Sequence, residues 1–225
     1  NTEEEAFAQM DYASDKGINF FDTAELYPIP PEADTQGRTE TMIGNWFEKT
    51  GKRQDIILAT KVVGRSTMTW FRDNGDEPEL TRPQIMEAID KSLARLKTDY
   101  IDLYQLHWPD RPLPLFGGLG YKHFGDEINH IEDTLGILEE LRKSGKVRHF
   151  GLSNETPWGI MKFLHYAETK KLPRIVSVQN AYNFLNRTYE LGGSEIFHRD
   201  KVGLLAYSPL AQGYLSGKYQ KGAIP

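Results

Sequence analysis

Six short apolar runs punctuate the chain, and each is followed by a longer amphipathic stretch. They begin near Ile18, Ile56, Ile101, Val147, Ile175 and Gly203. The runs are buried-looking over about five to seven residues, as parallel strands are. They recur at intervals of roughly 28 to 46 residues, which leaves room for a crossover helix each time. Repeated βα units follow, and with them a parallel sheet.

The intervening stretches carry helix signals. In TRPQIMEAIDKSLARL, Thr81 stands where a cap belongs, with Gln84 three residues on as a capping box. Ile85, Ile89, Leu93 and Leu96 then recur at helical spacing. Thr156 before Pro157 pairs a cap with a first-turn proline. Leu135, Leu138 and Leu141 mark another helix, with Gly145 as its stop. Two long connections, from about Gly64 to Leu80 and from Trp108 to about His130, are expected to wall a pocket, because loops of that length in a compact domain usually serve a site.

Strand parity places chemistry on the sheet. Ile18, Phe20 and Asp22 share one face, as do Ile57, Ala59 and Lys61, and Ile101, Leu103, Gln105 and His107. Asp22, Lys61 and His107 therefore end mainly apolar rows, and Tyr27 follows five residues after Asp22. In barrels and open α/β sheets the carboxyl edge of the strands is where sites assemble. A phenol, an amine, a carboxylate and an imidazole gathered there fit proton transfer to or from an oxygen, with no covalent nucleophile and no metal. Each residue alone has an ordinary structural reading: Asp22 as a helix cap, Tyr27 as a packed loop aromatic, Lys61 as a solvated strand end, His107 as a core histidine. Their placement together on three strand tails favours the chemical reading.

Composition narrows the rest. There is no cysteine, which removes disulfides and thiolate chemistry and fits a reducing, cytoplasmic setting. A net charge of −5 argues against nucleic acid as a partner. No apolar run approaches the roughly 18 residues of a membrane span. GYLSGKY has too few residues between its glycines for a phosphate loop, and GGLG does not follow a strand. His123 and His130 lack metal-ligand spacing. Oligomeric state cannot be read from these patterns.

The segments INFFDTAELY, LATK, DYIDLYQLHWP, GKVRHFGLSN, VQNAYN and AYSPLAQGYLSGKY, in this order, resemble the aldo/keto reductase family. YPIPPEADTQGRTETMIGNW and LSNETPWGIMKFLH are similar to its Tas-like branch, and potassium-channel β-subunits are more distant relatives. The resemblance implies an α/β fold, the (β/α)8 TIM barrel. Residues 1–225 would then be a single barrel domain, with the first and last strands expected to lie outside the chain at either end. It implies a nicotinamide cofactor, NADPH by family habit with NADH not excluded, and a small-molecule carbonyl substrate.

The resemblance further implies that Tyr27 donates a proton, that Lys61 and Asp22 are its charged partners, and that His107 orients the carbonyl. Ser153, Asn154 and Gln179 would hold the nicotinamide carboxamide and Tyr207 would stack on the ring. Ser208, Leu210 and Gln212 would lie beside the pyrophosphate. Trp70, Phe71, Trp108, Phe116 and Tyr121 are candidates for the substrate wall. A nearby ammonium is expected to lower the Tyr27 pKa by roughly 1–3 units. The alternative functional reading is a nicotinamide-binding sensor or regulatory subunit with little turnover. A lyase or isomerase barrel sharing the Tyr–Lys chemistry is a third.

Overall fold

The computed structural model describes residues 2–116, 120–125 and 129–222. Six strands, β1 (Phe20–Asp22), β2 (Ile57–Val62), β3 (Ile101–Leu106), β4 (Val147–Ser153), β5 (Ile175–Ala181) and β6 (Gly203–Tyr207), form one sheet in sequence order. Every neighbouring pair is parallel. The helices are α1 (Glu3–Asp15), α2 (Arg38–Thr50), α3 (Arg82–Leu96), α4 (Ile131–Lys143), α5 (Pro157–Lys170) and α6 (Glu190–Asp200). From β1 onward a helix separates each strand from the next, which is the connection a parallel pair requires.

The main core lies between the sheet and its helices. Leu58, Val62, Tyr104, Leu106, Phe150, Leu152 and Val178 from the strands pack with Ile43, Trp46, Ile85, Ile89, Leu135, Leu138, Ile160 and Phe163 from the helices. The opposite face of the strands is the inner one, and it is polar or small in its upper layers. Register aligns Lys61 with Gln105, Gln105 with Gly151, Gly151 with Ser177, and Ser153 with Gln179. Gly151 is required there: a Cβ would stand 2.7 Å from Ser177 Oγ and 3.1 Å from Gln105 Cγ.

The sheet is curled into a half-barrel. Gln179 on β5 donates to Asp22 at the end of β1 over 3.1 Å. Three strands separate these two in the sheet order. A flat sheet would hold them roughly 19 Å apart, at about 4.8 Å per strand. The partial (β/α)8 barrel is thus visible as curvature.

Local expectations were met unevenly. Thr156 Oγ1 accepts from the Gly159 amide at the start of α5, and Gly145, at φ +79°, follows α4. The capping box at Thr81 does not form: Gln84 Oε1 accepts instead from the Glu79 amide at 2.8 Å and from Arg72 Nε at 3.3 Å. Competing donors in the preceding loop take the oxygen that would have reached the cap. β1 begins at Phe20, and Ile18 is 55% exposed, because Gly17 turns the chain out of α1 and the Ile18 amide still bonds back to Ala13. The connection from Gly64 to Leu80 contains a 3₁₀ turn at Thr69–Phe71.

Candidate active site

Asp22 ends β1, and its two carboxylate oxygens are held separately. Oδ2 accepts from Lys61 Nζ at 2.6 Å. Oδ1 accepts from the amides of Gln105 and Gln179 at 2.9 and 3.1 Å. Lys61 is wholly buried, and its ammonium also donates to the Thr23 carbonyl at 2.8 Å. Burial pulls the Lys61 pKa below its ordinary value, and Asp22 opposes that pull. A buried amine stays charged only with such a counter-ion.

Tyr27 lies beside this pair. Lys61 Nζ is 5.0 Å from the centre of its ring, and the ring meets His107 edge-on with centroids 5.7 Å apart. The Tyr27 pKa is pushed up to about 12, first by burial, then by Asp22 and Tyr207. This reverses the expected lowering: the ammonium's charge is already matched by Asp22, so desolvation decides. Burial, with Lys61 nearby, also holds His107 well below the ordinary imidazole value, so its ring is neutral at pH 7. His107 Nδ1 is buried and has no hydrogen-bond partner among the described residues.

A second group closes the other side. Tyr207 OH donates to Asn154 Oδ1 at 2.7 Å, and Asn154 Nδ2 donates to the His107 carbonyl at 2.9 Å and to Ser153 Oγ at 3.2 Å. Ser153 Oγ donates to the Gln179 carbonyl at 3.0 Å. Asn154 and Ser208 sit at the tails of β4 and β6 with φ of +53° and +54°. That left-handed conformation is one Asn tolerates and Ser rarely adopts.

A cavity of about 480 Å3 lies between Tyr27 and His107 on one side and the group of Asn154 and Tyr207 on the other; Asp22 and Lys61 lie behind Tyr27 and do not line it. Tyr27, His107, Ser153, Asn154, Gln179, Tyr207 and Ser208 line it, together with Trp108 and Phe116. The sequence reading missed the apolar remainder, Leu26, Ile29, Pro31 and Met68. All four come from loops, where periodicity carries no signal. It also missed Gln105 as a partner of Asp22, although parity had put Gln105 in the row with His107.

Other expected residues lie elsewhere. Trp70 is 40% exposed and stacks on Phe71, which is buried in a small cluster with Ala24, Leu26, Val63 and Trp108. Tyr121 is 76% exposed and lines a separate hollow with Arg111 and Trp158. Leu210 and Gln212 are exposed on the turn after β6 and do not line the cavity. Among the described residues, no cluster of three or more His, Cys, Asp or Glu is placed to hold a metal ion. None of the described helices is long and apolar enough to cross a membrane.

The pattern that defines the Aldo/keto reductase family matches residues 1–225. The chain belongs to the aldo/keto reductase family. It is 49% identical over 229 residues to Protein tas of Escherichia coli (strain K12), covering 100% of this chain and 65% of that protein. It is 37% identical over 224 residues to the uncharacterized oxidoreductase YrpG of Bacillus subtilis, covering 97% of this chain and 61% of that one. A probable voltage-gated potassium channel subunit beta of Arabidopsis thaliana is 30% identical over 223 residues, with 98% and 59% covered. The chain thus spans under two thirds of the length of these relatives.

Proposed function

We propose that the protein reduces aldehydes or ketones to alcohols with NADPH, that Tyr27 is the proton donor, and that residues 1–225 contribute to one cytoplasmic barrel domain. The observation that carries this reading is the single cavity onto which Tyr27, His107, Asn154, Gln179 and Tyr207 all open.

The donor set fits a nicotinamide. A carboxamide needs acceptors for two N–H groups and donors for its carbonyl. Ser153, Asn154 and Gln179 offer both kinds of group, and Tyr207 supplies a ring beside them. The bond to Asp22 uses only one of the two N–H groups of Gln179. When bound, the reduced cofactor supplies the hydride.

Every other part of the reaction falls to the protein. Charge develops on the carbonyl oxygen, and a positioned acid must meet it. Tyr27 is that acid. A pKa of about 12 keeps it protonated across the neutral range. Proton transfer to an alkoxide, taken as being as basic as hydroxide at about 15.7, is still downhill by about 5 kcal/mol. Lys61 and Asp22 fix the local charge, and in this reading the neutral His107 ring, which lines the cavity, donates one N–H to the same oxygen. Leu26, Met68 and Trp108 give the cavity an apolar wall, with the more exposed Ile29 and Phe116 at its rim, and this favours a partly apolar carbonyl compound.

The reading is tested with the full-length protein by following NADPH consumption and alcohol formation over a panel of aldehydes and ketones. Equal amounts of each support it. The likeness to a probable channel subunit supports the second reading, a nicotinamide-binding regulator. Quenching of tryptophan fluorescence by NADPH with no turnover on any carbonyl would favour that one.

A further inference from the structure

Two residues after Thr23 and two before Tyr27 sits Glu25, and its carboxylate is one of the most enclosed charges in the chain. Glu25 is 1% exposed and its partner Arg72 is 3% exposed. Arg72 Nη1 donates to Glu25 Oε2 at 3.0 Å and Nη2 donates to Oε1 at 3.2 Å, a two-pronged grip. Arg72 comes from the long connection between β2 and α3, immediately after the turn at Thr69–Phe71. That connection was expected to wall the substrate pocket; through Arg72 it also reaches the Tyr27 turn.

We propose that Arg72 is a positioning residue for Tyr27, acting through Glu25; the inference rests on Tyr27 being the proton donor. The backbone gives the reason. Past Asp22 the β1–β2 ladder continues with the Thr23 amide on the Ala59 carbonyl at 2.9 Å and the Glu25 amide on the Lys61 carbonyl at 3.1 Å. Parallel pairing would next give the Val63 amide to the Glu25 carbonyl and the Tyr27 amide to the Val63 carbonyl. Instead the Tyr27 amide turns back to the Ala24 carbonyl at 3.1 Å, and the Val63 amide is taken by Glu25 Oε1 at 2.8 Å. The Glu25 side chain thus ends the ladder and frees Tyr27 to turn toward Lys61 and His107. Gln36 Nε2 holds the Glu25 carbonyl at 2.8 Å, so the residue is fixed at its amide, its carbonyl and its side chain.

A buried carboxylate in that post needs a cation. Arg72 supplies it with the planar fork that a carboxylate matches. Its Nε is itself directed by Gln84 Oε1 at 3.3 Å. Apolar residues could fill the same volume without the desolvation cost of two ions. The geometry therefore points to placement of the Tyr27 turn as what the pair contributes. Displacement of a reacting group by about 1 Å can cost 10²-fold in rate.

The test uses full-length Arg72→Lys, Arg72→Met and the double variant Glu25→Gln/Arg72→Met, which leaves no lone buried charge if the single variant fails to fold. Turnover is divided by the number of NADPH sites found by tryptophan quenching. The double variant is expected to lose roughly 10²-fold in kcat per site. NADPH affinity and carbonyl KM should stay within about 3-fold, and Arg72→Lys, which keeps charge without the fork, should fall between. Hydrogen–deuterium exchange should quicken over residues 23–27 and 61–63 and nowhere else. Wild-type kcat per site in the double variant would overturn the proposal, and so would a rate loss matched by an equal loss of NADPH sites. If the native protein reduces no carbonyl, the reaction reading fails by itself. Exchange then decides the tie: local quickening supports it and an unchanged pattern overturns it.

Discussion

Lys61 Nζ lies 2.6 Å from Asp22 Oδ2, with the amine side chain fully enclosed and the carboxylate 28% exposed. The two are not equivalent under mutation. Asp22→Asn leaves an ammonium in the barrel interior with only amide and carbonyl dipoles around it. Removing one partner of a buried pair typically costs about 3–5 kcal/mol. Asp22→Asn is therefore expected to lose about 3 kcal/mol in urea unfolding, and Asp22→Asn/Lys61→Met to recover most of it. If the double variant is no more stable than Asp22→Asn, the pair is not the coupled unit described.

Gln105 bears on the same carboxylate. Its Nε2 serves Asp22, but its Oε1 is buried with no partner among the described residues. A stranded carbonyl costs about 1–3 kcal/mol, while one hydrogen bond contributes about 1. Gln105→Leu is expected to leave stability unchanged or raised by up to about 1 kcal/mol, and to lower turnover as Asp22 loses a donor. Stability read from urea midpoints and turnover read on the same sample should move apart; a joint fall would mean Gln105 serves packing alone.

His107 gives a pH signature with a definite sign. Its folded pKa is depressed, by burial first and Lys61 second. Unfolding lets the ring bind a proton, so its contribution is present above the unfolded value of about 6.5 and is lost as pH falls below it. The slope from this residue is at most about 1.4 kcal/mol per pH unit. Urea midpoints between pH 7 and 5 should fall less steeply in His107→Asn than in the native protein. Equal slopes would show that the ring is not held neutral by the fold.

Trp108 packs with Ala24, Leu26, Val63 and Phe71 and also faces the cavity. Its Nε1 donates to the Arg65 carbonyl at 3.0 Å. Truncation of such a side chain typically costs about 3–5 kcal/mol. Trp108→Ala is expected to destabilise by that order and to raise KM for small aldehydes more than for bulky ones, as kinetics over a size series would read.

How much of this was legible in the sequence follows from what periodicity encodes. Strand parity puts Asp22, Lys61 and Gln105 on the inner face, because a period of two fixes the face of every residue, whereas Gln179 is singled out only by the family resemblance. It does not give loop conformation, and there the reading faltered. Trp70 turned outward onto Phe71, Tyr121 fell into another hollow, and Met68, Ile29 and Pro31 entered the cavity unannounced. The Tyr27 pKa also ran the other way, since composition shows an amine nearby but not how far burial outweighs it. Glu25 and Arg72, forty-seven positions apart, are joined only by the folded chain.

The most direct measurement compares carbonyl-dependent NADPH consumption in the native full-length protein and in Tyr27→Phe, with NADPH affinity measured alongside. The account predicts turnover in the native protein and a loss of roughly 10²- to 10⁴-fold in the variant, at unchanged affinity. A variant that reduces carbonyls at the native rate would contradict it.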